Sequence, residues 1–273
     1  MTPGHSLTSF TQRHPIWHSR PARTGLYSWL EYSSLDLSYP LGASRYLVPF
    51  DPRQVPQFRF DVLVLGGGSA GGNAALRAAE AGASVAVLTK GELLEGNTRW
   101  AKGGLAAVIN AADSFDSHAQ DTLNVGCGLS DPAVVRQVVG DGPRALNELV
   151  ELGAKFDRET NGDLSLSREG GHSHARIVHA LGDSTGIEIQ RALTKALEDH
   201  PRIRTFDRHF AIDLLSDPDG RVVGVLAANQ KGERFAFAAR EVVLATGGSG
   251  QLYRETTNPD LATGDGLAMG LRA

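Results

Sequence analysis

The feature that most constrains this chain is a run of glycines placed directly after an apolar strand. Asp61-Val-Leu-Val-Leu65 is short and apolar, the pattern of a strand buried on both faces of a parallel sheet. Gly66-Gly-Gly-Ser-Ala-Gly71 follows, and three of its glycines have separate physical tasks. Gly66 makes the tight turn, Gly68 lets the backbone approach a pyrophosphate, and Gly71 lets helix and strand pack closely. The segment from Gly72 to Ala81 is rich in alanine and leucine and reads as a helix stopped at Gly82. Ser84-Val-Ala-Val-Leu88 reads as a second buried strand. A lone glycine fingerprint is weak evidence. Here it lies inside a βαβ unit of about 30 residues, and the helix N-terminus behind it attracts a pyrophosphate. Gly66, Gly67, Gly68, Ser69, Ala70 and Gly71 are therefore the expected nucleotide contacts. One element is missing: the second strand ends in Thr89-Lys90, not in the acid that bonds a ribose hydroxyl in NAD sites. Lys90 is either a contact for a phosphate or the adenosine end of the cofactor, or a solvated surface lysine.

Composition bounds the rest. With 41% hydrophobic and 21% charged residues over 273 positions, the chain has the make-up of a soluble globular protein with a sizeable core. A net charge of −4 speaks against a nucleic-acid partner held by bulk positive charge. The single cysteine, Cys127, sits in a Gly-Cys-Gly turn without an evident base; it excludes an internal disulfide and points to a reducing, cytoplasmic setting. No apolar run approaches the roughly 20 residues of a membrane span.

Residues 1–58 differ in character: they are rich in Ser, Pro, Arg, His and aromatics, without a sustained period. The first thirty contain no acid but include Arg13, Arg20 and Arg23. They read as a disordered or variable extension, with a transit peptide or a start codon placed too far upstream as the other readings. Residues 59–273 read as one nucleotide-binding domain. Within it, residues 91–112 are a long glycine-rich loop. Asp131-Pro132 caps a helix reaching about Leu152, and a polar stretch runs from Asp157 to His179. A helix follows from about Ser184 to Glu198. Strands are expected over residues 210–215, 222–228, 234–238 and 241–246, with Asp217-Pro-Asp-Gly220 as a turn, and a last helix starts after Asp265.

Several separated motifs, in order, carry a resemblance. Gly66 to Gly71, Gly96-Asn-Thr-Arg-Trp-Ala-Lys-Gly-Gly-Leu-Ala-Ala107, Ala245-Thr-Gly-Gly248, Thr256-Thr-Asn-Pro-Asp260 and Gly264-Asp-Gly266 together resemble the succinate dehydrogenase and fumarate reductase flavoprotein group. Within that group, Ser167-Arg-Glu-Gly-Gly-His-Ser-His-Ala-Arg-Ile-Val-His-Ala180 is most similar to the L-aspartate oxidases. The resemblance covers about residues 60–273. It implies an α/β, Rossmann-type FAD-binding fold of the glutathione reductase kind, with inserted antiparallel strands. It also implies that Asn97, Thr98, Arg99, Trp100, Ala101, Lys102, Gly103 and Gly104 wrap the flavin and that Asp265 closes on it, although Asp265 also suits a plain helix cap. Asn97 stands where succinate dehydrogenases carry the histidine that bonds the flavin, so the FAD is expected to be non-covalent.

Glu169 resembles the residue that orients aspartate. A carboxylate pairs with the substrate ammonium, which succinate and fumarate lack; the alternative is a solvated loop acid. Arg168 and the histidines at 172, 174 and 179 are candidates for a substrate carboxylate. Those histidines lack the acidic partners of a metal centre, and no metal is expected.

The implied reaction is oxidation of L-aspartate to iminoaspartate with O2 or fumarate as acceptor, feeding NAD synthesis through quinolinate synthase. A fumarate reductase or succinate dehydrogenase flavoprotein, or a non-catalytic FAD-binding fragment, are the competing readings. The resemblance further implies that the capping domain, with its catalytic Arg and His residues, lies beyond Ala273. The chain by itself is therefore expected to be inactive.

Overall fold

The computed structural model describes residues 45–273, so the expected extension lies outside the described residues up to position 44. Residues 45–56, expected to belong to that extension, instead lie along the sheet described next. The Leu47 amide donates to Asp213 Oδ2 (2.7 Å), and Arg234 Nη1 donates to the Pro49 carbonyl (2.8 Å).

The architecture grows from the βαβ unit. β1 (Gln57–Leu65) leads through α1 (Ser69–Glu80) to β2 (Val85–Leu88), which pairs parallel with β1. Further along, β6 (Ile203–Phe206), β7 (His209–Ser216), β8 (Val222–Asn229) and β9 (Arg234–Leu244) complete a six-stranded sheet in the order β6-β2-β1-β9-β8-β7. β6, β2, β1 and β9 run parallel, whereas β7, β8 and β9 form an antiparallel meander. This is the expected Rossmann-type sheet with inserted antiparallel strands.

Strand alternation divides the core. Val62, Val64, Val85 and Val87 face one side, against Ala75 and Leu76 of α1 and Leu193 and Leu197 of α5 (Thr185–Asp199). Leu63, Leu65, Ala86 and Leu88 face the other, against Phe206, Phe237 and Met269 of α6 (Asp265–Arg272). Fully burying one such side chain is worth about 1.5–3 kcal/mol, so strands covered on both faces carry much of the fold's stability. α4 (Pro132–Glu151) adds Leu146 and Leu149 to the first layer; its cap is Asp131, whose carboxylate accepts the Ala133 and Val134 amides.

Several features depart from the sequence reading. α1 begins at Ser69, not Gly72, because its glycines are held by close packing that outweighs their poor helix propensity. The two strands expected over 234–238 and 241–246 are one, Arg234–Leu244, whose ladder to β1 runs on while Arg240 and Glu241 face solvent. The four-residue β6 and the helix α3 (Phe115–Val125) were not expected; both are short and polar enough to lack a clear period. The loop and the polar stretch hide a three-stranded antiparallel sheet. In it, β5 (Ile177–Val178) lies between β3 (Leu105–Ala106) and β4 (Leu166–Ser167). A single helical turn, α2 (Asn97–Trp100), also interrupts the loop.

Candidate cofactor site

The carboxyl ends of β1, β2 and β9 open onto a cavity of about 540 Å³, the crevice where open parallel sheets bind ligands. Its volume falls in the usual range for small-molecule and cofactor sites, roughly 300–1,000 Å³. Leu65, Leu88, Leu244 and Met269 supply an apolar floor, and Gly66, Gly67, Gly68, Ser69 and Ala70 form the wall where β1 turns into α1.

The glycines are required by contact. Gly66 has a φ of +108°, a region L side chains rarely adopt, and a Cβ there would lie 2.2 Å from the Ala245 carbonyl oxygen. A Cβ on Gly71 would lie 1.9 Å from the Gly66 carbonyl oxygen, so Gly71 serves the strand–helix contact and does not line the cavity. Gly68 is different: its φ is −72°, and a Cβ there would meet only the Thr98 hydroxyl, at 3.2 Å. Its bare backbone faces space that a ligand can use.

Two residues of α5 support this region: Gln190, absent from the sequence reading, and Gly186, which the resemblance included only as the end of Gly182-Asp-Ser-Thr-Gly186. Gln190, fully buried in α5, donates from Nε2 to the carbonyls of Gly67 (2.9 Å) and Leu93 (3.0 Å), while its Oε1 has no partner among the described residues. Gly186 lets the first turn of α5 press on α2, since a Cβ there would lie 2.0 Å from the Thr98 carbonyl oxygen. Gln190 has no local signal, because one buried glutamine in a helix acquires meaning only when α5 docks. The Gln190→Leu variant leaves two carbonyls unpaired. It is expected to lower stability by about 1–3 kcal/mol, read from its urea unfolding midpoint, with an unchanged midpoint excluding the bracing role.

Opposite the glycines, Lys90 Nζ pairs with Asp265 Oδ2 at 2.6 Å and also donates to the Thr263 hydroxyl. The Thr263 hydroxyl in turn donates to the Asp265 carboxylate (2.9 Å). Both charged side chains lie on the cavity wall. Asp265 stands at the N-terminus of α6, a position that favours negative charge. Of the loop from Asn97 to Gly104, only Asn97 and Thr98 reach the cavity. The Thr98 hydroxyl accepts the Ser69 amide (2.9 Å). Arg99, Trp100, Ala101, Lys102 and Gly103 are exposed along the path to β3, and Gly104 packs against β5.

Glu169 lies away from this wall, on the turn between β4 and β5, with Oε1 3.2 Å from His179 Nε2. That turn is anchored by a buried arginine. Arg176, wholly inaccessible, makes a two-point contact with Asp113 (2.7 and 2.8 Å) and a third with Asp121 of α3 (2.6 Å). Asp121 also accepts the Ser173 amide and hydroxyl, both at 2.8 Å. The guanidinium holds the Asp113 carboxyl below the usual range. Burial pushes Asp121 upward, but the bonds from Ser173 and Arg176 outweigh it and leave it at about 2. His172 and His174 turn their Nδ1 atoms toward the same guanidinium (3.2 and 3.5 Å), which places them in this anchor. Among the described residues no group of three metal-ligating side chains comes together.

A family model described as FAD binding domain matches residues 61–273. The chain belongs to that family. FAD is accordingly the cofactor, and the residues of this cavity fit it: a glycine turn with an open backbone, a helix N-terminus and one lysine beside an apolar floor. Among curated proteins the chain is 48% identical to L-aspartate oxidase of Streptomyces coelicolor over 217 residues, covering 78% of this chain and 37% of that one. It is 49% identical over 218 residues to a chloroplastic L-aspartate oxidase of Nicotiana tabacum, covering 78% and 34%. Among solved structures, an E. coli quinol fumarate reductase superposes with a TM-score of 0.75 at 36% identity, over 80% of this chain and 37% of that one. The chain thus spans little more than a third of the length of these relatives.

Proposed function

We propose that this chain forms the FAD site and one wall of the substrate site of an enzyme that oxidises L-aspartate to iminoaspartate. O2 or fumarate would be the acceptor, and the step would lead toward NAD synthesis by way of quinolinate synthase. Bound FAD supplies the electron acceptor for the substrate carbon. Gly66 to Ala70, the α1 N-terminus, Lys90 and Asp265 would hold its phosphates and adenosine end, and Asn97 and Thr98 would reach it from the loop.

The observation that carries the aspartate reading is a carboxylate, Glu169, held on a turn pinned by Arg176. A fixed anion attracts the ammonium of an amino acid and offers nothing to succinate. The identity of 48–49% to L-aspartate oxidases, against 36% to the fumarate reductase, supports the same choice. Among the described residues no helix is long and apolar enough to cross a membrane.

The test starts from the visible absorption of the purified chain loaded with FAD. After denaturing precipitation the flavin is expected in the supernatant, because Asn97 cannot form the histidyl bond. L-Aspartate is then expected to perturb the flavin spectrum, and succinate at the same concentration to leave it unchanged. Flavin held in the pellet, or a response to succinate alone, favours a succinate dehydrogenase type of flavoprotein. A chain that takes up no FAD overturns the proposal.

A further inference from the structure

Glu169 has a close partner in His179. β4 and β5 pair in the register Ser167↔Ile177, so His179, just after β5, lies diagonal to Ser167 on the neighbouring strand. Its Nε2 is 2.9 Å from Ser167 Oγ and 3.2 Å from Glu169 Oε1. The other ring nitrogen, Nδ1, is enclosed and has no hydrogen-bond partner among the described residues. On the far side of β5, the pairing Leu105↔Val178 places Gly104 opposite His179. A Cβ on Gly104 would lie 2.3 Å from Ile177 Cγ2 and 3.1 Å from His179 Cε1. The glycine that ends the 97–104 loop therefore leaves the imidazole its place.

The two nitrogens have different surroundings. An ionised carboxylate only accepts hydrogen bonds, so a proton on Nε2 suits the 3.2 Å approach to Glu169. A second proton on Nδ1 would bury an N–H with no acceptor, which folded proteins avoid.

We propose that His179 is a positioning residue for Glu169: a neutral imidazole, protonated on Nε2, that fixes the carboxylate without cancelling its charge. Ser167 Oγ shares the same N–H. A lysine or arginine in that place would compete with the ammonium of the substrate, whereas a neutral donor orients the carboxylate and leaves the anion intact for it. That the ligand of Glu169 is an amino acid rests on the function proposed above; the tautomer does not.

The tautomer is read by long-range 1H–15N correlation spectra of the FAD-loaded chain labelled with 15N-histidine, with the His179 signals assigned by their loss in His179→Gln. The expected pattern is a neutral ring protonated on Nε2, whose nitrogen signals shift in Glu169→Gln. A proton on Nδ1, a doubly protonated ring at neutral pH, or no response to Glu169→Gln overturns the proposal.

Binding is read from the flavin spectrum during L-aspartate titration. His179→Gln, which keeps an N–H donor, is expected to stay within a few-fold of the parent, and His179→Ala to bind on the order of tenfold more weakly. Equal affinity of the two variants also overturns the proposal. Should His179→Ala fail to fold, the spectra decide alone. If the tautomer is as stated but aspartate leaves the flavin spectrum and the His179 signals unmoved, the positioning role stands and the aspartate reading falls.

Discussion

Replacing Arg176 with methionine is expected to lower the stability of the chain by about 3–5 kcal/mol, the usual cost of removing one partner from a buried ion pair. The size follows from what is left behind. Asp113 is 1% exposed and Asp121 15% exposed, and Arg176 is the cation that bonds both. Without it, the Asp113 carboxylate keeps, among the described residues, the Ser114 amide (2.8 Å) and the His174 ring (3.5 Å), and no permanent cation. Urea unfolding followed by circular dichroism reads the loss as a lower midpoint. A companion variant separates charge from packing: Arg176→Met with Asp113→Asn and Asp121→Asn removes the stranded charges and is expected to regain much of the stability.

The pH dependence has a definite sign. Both carboxyls titrate lower in the folded chain than the unfolded value of about 3.9. Their contribution is therefore complete above about pH 4 and is lost as pH falls toward the folded value of Asp121, about 2. The gap between parent and Arg176→Met is thus widest at neutral pH and closes in acid. A gap that stays constant down to the acid limit would show that packing, not charge, sets the cost.

The second large effect separates two glycines of one motif. Gly68→Val is expected to leave the fold nearly intact and weaken FAD on the order of 100-fold, about 2.7 kcal/mol. Gly71→Val is expected to damage the fold itself. The reason is the difference in neighbours: a Cβ at Gly68 meets only a hydroxyl at 3.2 Å, whereas one at Gly71 falls 1.9 Å from a backbone carbonyl oxygen. At Gly68 the added methyls enter the space where a pyrophosphate must approach the backbone. At Gly71 they force α1 away from β1, and overpacking of this kind costs about 1–3 kcal/mol or more. Fluorescence titration of FAD beside an unfolding curve distinguishes the two. Equal loss of stability in both variants would remove the assignment of Gly68 to ligand approach.

The sequence by itself determined the central βαβ unit, the capped helix α4, the meander and the glycine turn. Each of these is a local pattern: apolar residues covered on both faces, an Asp-Pro cap, strand–turn–strand spacing, glycines at set intervals. It also placed Lys90 and Asp265 as candidates, though not their pairing, because 175 residues separate them and only the packing of α6 against β7 brings them within 2.6 Å. What the tertiary structure alone decided is the support behind the candidate residues. Gln190 looks like any helical glutamine until α5 docks beneath Gly67, and Arg176 looks like a loop arginine until α3 brings Asp121 to it. The three-stranded sheet that carries Glu169 is built from strands of two residues each, too short for any period to appear in the sequence. For Gln190 and Arg176 the physical reason is shared. A buried polar group is stabilised by partners that only the folded chain assembles, and no local pattern encodes such partners.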